Sequence, residues 1–170
     1  GIKMCESYNI QYKTNYKCLM PTNTFGPNDH YNALNSHFLP ALIKKVHDLK
    51  LNNKKELTLW GNGLAKREVI YVDDLADACI FFMKKSFSGT TLNIGTGKDF
   101  SIKQYAKIIL NKIMPKNKIK IKYDLSKPNG TPRKVLNIKL ANKYGWKPKT
   151  QLDEAITKTY LNFLENNKIV

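Results

Sequence analysis

The chain has 170 residues, 42% of them hydrophobic and 11% aromatic, which excludes a disordered polymer and supplies enough apolar surface for a core. Its formal net charge is +16, from 29 Lys and Arg against 13 Asp and Glu. Only Arg67 and Arg133 are arginines, and the lysines are spread among Asn and Ile residues, so solvated lysine faces are expected and a nucleic-acid partner is not.

No apolar run has the length of a membrane span and no charged segment precedes a hydrophobic one at the start, so no membrane partner is expected. Cys5, Cys18 and Cys79 are odd in number and lack C-x-x-C spacing, which points to a reducing, cytoplasmic setting. His30, His37 and His47 form no recognisable metal-ligand spacing, and no metal is expected.

Ile2, Cys5, Tyr8 and Tyr12 recur at helical spacing, without an N-cap before them. Tyr16 to Met20 reads as a short buried parallel strand ended by Pro21. Pro21-Thr22-Asn23-Thr24-Phe25-Gly26-Pro27 then reads as a loop at that strand's carboxyl end, where open α/β sheets bind ligands, or as an ordinary turn.

A helix is expected from Ser36, with Phe38, Leu39, Leu42, Ile43 and Val46 as its apolar stripe and Pro40 in its first turn. His37 at that helix start is placed for acid/base work; on spacing alone a capping or packing histidine is the simpler account. Leu57 to Trp60 and Val69 to Tyr71 read as strands joined by the turn Gly61-Asn62-Gly63. Val72-Asp73-Asp74 then caps a helix whose buried side is Leu75, Cys79, Phe82 and Met83. The aspartates read as an N-cap and a structural acceptor before they read as an acid/base or metal dyad.

Thr91 to Ile94 is a further buried strand. Gly95-Thr96-Gly97 lacks the third glycine of a nucleotide loop, and Ser101 opens a helix with Ile102, Tyr105, Ile108, Ile109 and Ile113 inside. Ile119 to Tyr123 fits a lysine-guarded edge strand. Ser126 to Lys134 is a turn-rich loop carrying three cations, which by itself is a solvated surface turn. Helices over Asn137 to Tyr144 and Asp153 to Asn166 close the chain, the last burying Ala155, Ile156, Tyr160, Phe163 and Leu164. The pattern is α/β with parallel strands. His37, Trp60, Arg67 and nearby lysines on neighbouring elements suit a pocket for an anionic, ring-containing ligand.

Pro21 to Pro27, Asn35-Ser36-His37, Leu59-Trp60-Gly61-Asn62-Gly63, Arg67-Glu68, Val72-Asp73-Asp74 and Ser126-Lys127-Pro128-Asn129-Gly130-Thr131-Pro132-Arg133-Lys134 together resemble the GDP-L-fucose synthases. These belong to the extended short-chain dehydrogenase/reductase family of nucleotide-sugar enzymes. The resemblance runs in order from Gly1 to about Asn166. It implies the C-terminal part of a Rossmann fold, over residues 1–24 and 71–97, joined to a small mixed α/β substrate domain over 25–70 and 98–170.

The activity implied is 3,5-epimerisation of GDP-4-keto-6-deoxy-D-mannose and NADPH-dependent reduction to GDP-L-fucose, by a cytoplasmic homodimer. On the same basis His37 is the acid/base residue. Pro21, Thr22, Asn23, Thr24 and His37 lie along NADP(H), and Lys45, Trp60, Arg67 and Lys127 bind the substrate. The family's glycine-rich loop, its Ser and Tyr-x-x-x-Lys and its catalytic cysteine are expected upstream of Gly1. The 170 residues are therefore expected to be a fragment inactive in reduction. Two other readings stay open: another nucleotide-sugar epimerase or dehydratase, and a lysine-rich binding module without catalysis.

Overall fold

Helices and strands alternate along the chain in the computed structural model, which describes residues 1–32, 36–85 and 87–166. They form two units: Gly1–Thr24, Glu68–Lys98 and Val135–Lys149 make the first, and the described parts of Phe25–Arg67, Asp99–Lys134 and Thr150–Val170 make the second. The α/β class expected from the sequence is the class adopted. Among the described residues no helix is long and apolar enough to cross a membrane.

In the first unit α1 (Ile2–Tyr12) precedes β1 (Cys18–Pro21), which pairs in parallel with β5 (Thr91–Ile94), from Cys18 opposite Thr91 to Pro21 opposite Ile94. Pro21 thus closes the strand from inside, and Asn23–Phe25 forms a further strand, β2, within the segment read as loop. The core gathers Ile70, Leu92 and Ile94 with Ala78 and Phe82 of α3 (Val72–Lys84), and with Ala141 and Trp146. Residues 135–149 fold into the first unit, where Ala141, of the short helix α5 (Lys139–Lys143), and Trp146 are buried.

Two expectations about α3 are corrected. Its N-cap is Tyr71, with Asp73 and Asp74 inside the first turn. Its buried face is Asp74, Ala78 and Phe82, while Cys79 and Met83 are exposed. The reason is polar anchoring: Asp74 Oδ1 accepts the Lys149 N–H at 3.1 Å, and Asp77 accepts Trp146 Nε1 at 3.0 Å and Lys149 Nζ at 2.7 Å. The Lys149 ammonium and then the Trp146 indole hold the Asp77 carboxyl below its ordinary range.

In the second unit β3 (Glu56–Trp60) pairs in parallel with β7 (Lys120–Asp124), from Glu56 opposite Lys120 to Trp60 opposite Asp124. The turn Gly61-Asn62-Gly63 joins β3 to β4 (Lys66–Tyr71), but the two strands lie in different sheets. β4 instead pairs in parallel with β8 (Arg133–Lys134), and the glycine turn redirects the chain between sheets. Helix α2 (Phe38–Leu51) packs on β3 and on α4 (Ile102–Ile113), which follows β6 (Asp99–Ser101) and packs on α6 (Leu152–Asn166). The expected start of α4 is borne out: Ser101 Oγ accepts the Gln104 N–H and Gln104 Oε1 accepts the Ser101 N–H, a full capping box. Leu164 of α6 is more open than expected.

Candidate functional site

Strand β3 alternates exposed and buried residues, so the rule that buries Leu57 and Leu59 turns Trp60 outward, 59% exposed. Beside it a cavity of about 300 Å³ in the second unit is lined by Ser36, Phe38, Lys45, Trp60, Arg67 and Asn129, among others. Phe38 and Lys45 lie seven residues apart, two turns along one face of α2. The Lys45 and Lys127 ammonium groups stand 5.3 Å and 5.8 Å from the Trp60 ring centroid.

The loop that brings Lys127 to this ring is held by its own hydrogen bonds. Asp124 Oδ1 accepts the Ser126 hydroxyl at 2.6 Å and the Ser126 N–H at 3.1 Å, which holds the Asp124 carboxyl below its usual range. The Asp124 carbonyl accepts the N–H of Lys127 and of Gly61. Asn129 Oδ1 accepts the Asn62 N–H at 2.7 Å, and a Cβ on Gly61 would meet that oxygen at 2.4 Å, so the turn at φ +64° admits only glycine. At the far end Arg133 Nε pairs with Asp99 Oδ2 at 2.5 Å, which consumes the loop's arginine in structure.

Arg67 is fixed by one edge of its guanidinium. Nη1 donates to the Lys66 carbonyl at 2.7 Å and to the Thr131 carbonyl at 2.6 Å, which among the described residues leaves Nη2 and Nε for a ligand. Among the described residues Lys45, Arg67 and Lys127 enter no ion pair. Burial lowers the Lys45 pKa from its ordinary value. A cavity lined by Lys45, Arg67 and an aromatic face, with Lys127 across the indole, suits an anion carrying a ring. Among the described residues no three His, Cys, Asp or Glu side chains are grouped to hold a metal.

Of the residues singled out in the sequence, Lys45, Trp60 and Arg67 share this cavity, and Lys127 joins them through the indole. Asn35 lies outside the described residues. His37 is the N-cap of α2 by position, but its side chain makes no cap bond and is exposed, so neither a capping nor a packing role uses the imidazole. It does not line the cavity, although its chain neighbours Ser36 and Phe38 do.

In the first unit, Pro21 to Thr24 are tied to protein backbone. The Thr22 N–H donates to the Ile94 carbonyl, and Thr22 Oγ1 and Asn23 Nδ2 both donate to the Glu68 carbonyl. Glu68 is the residue that sequence reasoning missed. It is fully buried, with Oε1 accepting the N–H of Thr96 and of Gly97 at 2.6 Å each and Oε2 accepting that of Leu136 at 2.7 Å. Its one sequence signal is a lone acid leading into the apolar run Val69-Ile70-Tyr71.

Residues 1–95 match the sequence pattern of the NAD dependent epimerase/dehydratase family. The chain belongs to that family. The GDP-L-fucose synthase 1 of Arabidopsis thaliana is 39% identical over 166 residues, which cover 98% of this chain and 51% of that protein. The GDP-L-fucose synthase of Escherichia coli strain K12 is 38% identical over 175 residues, covering 98% and 54%. The solved structure of a Campylobacter jejuni GDP-D-glycero-L-gluco-heptose synthase, determined in the presence of NADPH, superimposes with a TM-score of 0.81 at 30% identity, covering 96% of this chain and 57% of that one. This epimerase/dehydratase chain thus spans about half the length of the curated relatives it matches. Family membership and the structural likeness bear out the Rossmann-type fold expected from the sequence.

Proposed function

We propose that this chain carries the GDP-sugar site of a GDP-L-fucose synthase, which epimerises GDP-4-keto-6-deoxy-D-mannose at C3 and C5 and reduces it to GDP-L-fucose. The observation that supports this best is the set of Lys45, Arg67 and Lys127, unpaired among the described residues, around Trp60. In this reading Lys45, Arg67 and Lys127 neutralise the diphosphate, and Trp60 offers its ring face to the base or sugar. His37 moves the protons next to the ketone, a role supported by its exposed imidazole, which forms no hydrogen bond among the described residues.

The cofactor of the proposed enzyme is NADP(H), in keeping with the NADPH present with the Campylobacter relative. The residues fit its nicotinamide end: Pro21 to Thr24 form a polar segment at the carboxyl end of parallel strand β1, held by the Ile94 and Glu68 carbonyls. Bound there, the cofactor supplies the hydride for the C4 ketone. Tyr123 and Lys127 share the Tyr-x-x-x-Lys spacing that serves that transfer in the resembled enzymes, but they fall on strand β7 and in the loop after it rather than on a helix, so in this account the isolated chain does not reduce the keto-sugar. The complete enzyme is a cytoplasmic homodimer in this account. Calorimetric titration with GDP and UDP tests the site: GDP is expected to bind at least about tenfold tighter. Equal binding, or none of either, rejects the reading.

A further inference from the structure

The only buried side-chain oxygen or nitrogen without a hydrogen-bond partner among the described residues is Ser36 Oγ. A hydroxyl shut away from water with no partner is disfavoured unless another state of the protein satisfies it. Ser36 lines the same cavity as Lys45, Trp60 and Arg67. A rotation about χ1 is a fast and inexpensive motion for serine, so a ligand in the cavity can recruit the hydroxyl.

The cavity has two chemically different ends. Ser36 lies just before the N-cap of α2, next to His37, while Lys45 sits two turns on from Phe38, about 10 Å along the helix. Lys45, the Trp60 indole and, across it, Lys127 mark the Lys45 end, which is where a nucleoside diphosphate is neutralised. The Ser36 end, adjacent to His37 in the chain, is left for the sugar.

We propose that Ser36 is a sugar-binding residue whose hydroxyl hydrogen-bonds a ring hydroxyl or the keto oxygen of the nucleotide sugar and holds the ring in register with His37. The inference rests on the GDP-sugar reading above and adds to it the residue that recognises the sugar rather than the nucleotide.

The test compares affinities for GDP and for GDP-L-fucose in the protein, in Ser36→Ala and in Ser36→Thr, by calorimetry, together with the melting temperature of each without ligand. Ser36→Ala is expected to bind GDP within twofold of the parent and GDP-L-fucose about five- to tenfold more weakly, the loss of one neutral hydrogen bond. Ser36→Thr keeps a hydroxyl and is expected to retain the parental ratio. Without ligand, Ser36→Ala is expected to melt at the parental temperature or higher, because it removes an unsatisfied group. A structural serine would lower it.

An unchanged ratio in Ser36→Ala, or an equal loss for GDP and GDP-L-fucose, overturns the assignment. A melting temperature lowered in both variants together with an unchanged ratio also overturns it. Failure of the parent protein to bind GDP at all sinks the GDP-sugar reading itself, whereas a parent that prefers GDP-L-fucose with a silent Ser36→Ala sinks only this inference.

Discussion

The Lys45 ammonium lies 5.3 Å from the centroid of the Trp60 ring, so a helix and the end of a parallel strand place a cation and an aromatic face together. Lys127 approaches the same ring to 5.8 Å, and the indole organises both lysines. Trp60→Ala should weaken GDP binding by roughly tenfold or more, as expected when a base loses its stacking partner. Trp60→Phe should recover most of that loss. Calorimetric titration of the three proteins checks this, and equal affinities would remove Trp60 from the site.

Burial lowers the Lys45 pKa below 10.5, so folding disfavours its charged form. The unfolded chain then binds more protons between the lowered value and 10.5, and the Lys45 contribution to stability rises with pH across that window. Ligand binding has the opposite dependence, because an anion needs the ammonium. Affinity for GDP should fall as pH rises from neutral towards 10.5, and Lys45→Arg, which stays charged, should show a shallower fall. Parallel slopes for the two proteins would contradict the role of Lys45.

Glu68 is a structural anchor at the proposed cofactor edge. Its carboxylate accepts three backbone N–H groups, from Thr96, Gly97 and Leu136, with no solvent exposure. Glu68→Ala would leave these donors buried and should cost about 3 kcal/mol or more in a urea melt. Gly95→Ala would put a Cβ 2.3 Å from Glu68 Oε1 and should cost about 2 kcal/mol. A loss within about 0.5 kcal/mol for either variant would show that this network is dispensable.

His47 sets an acid limit on stability. It is 7% exposed, its Nδ1 lies 3.0 Å from the Tyr160 hydroxyl, and burial lowers its pKa below 6.5. The nearby Asp48 carboxylate raises it, while the Lys44 and Lys50 ammonium groups lower it. The unfolded chain binds the proton first, so stability contributed by neutral His47 is lost as pH falls below 6.5. Melting temperatures from pH 7.5 to 5 should fall more steeply for the protein than for His47→Gln. Equal slopes would exclude His47 as the source.

The parts of the fold set by short-range chemistry could be read from the chain: the Ser101 capping box and the alternation of β3 that turns Trp60 outward. The parts that depend on distant partners could not. Gly61-Asn62-Gly63 looks like a hairpin turn, yet β3 finds its partner in β7, and nothing local announces that. The α3 stripe failed at Cys79 and Met83 because Lys149, far along the chain, draws Asp74 inward. At the site, the cationic residue types were legible, but Glu68 and the unpartnered Ser36 hydroxyl are known only by their surroundings. His37 shows the reverse case: its position was legible, and its exposure and the lack of a cap bond from its side chain were not.

The most direct test of the anion cavity is a GDP titration at low and high ionic strength, followed by tryptophan fluorescence. Trp60 is exposed and Trp146 is buried, so a ligand at the cavity should quench the solvent-facing component. The account predicts a saturable change whose dissociation constant rises with salt and is raised further in a Lys45→Ala, Arg67→Ala double variant. Signal changes that fail to saturate, or an affinity indifferent to both salt and these two cations, would contradict it.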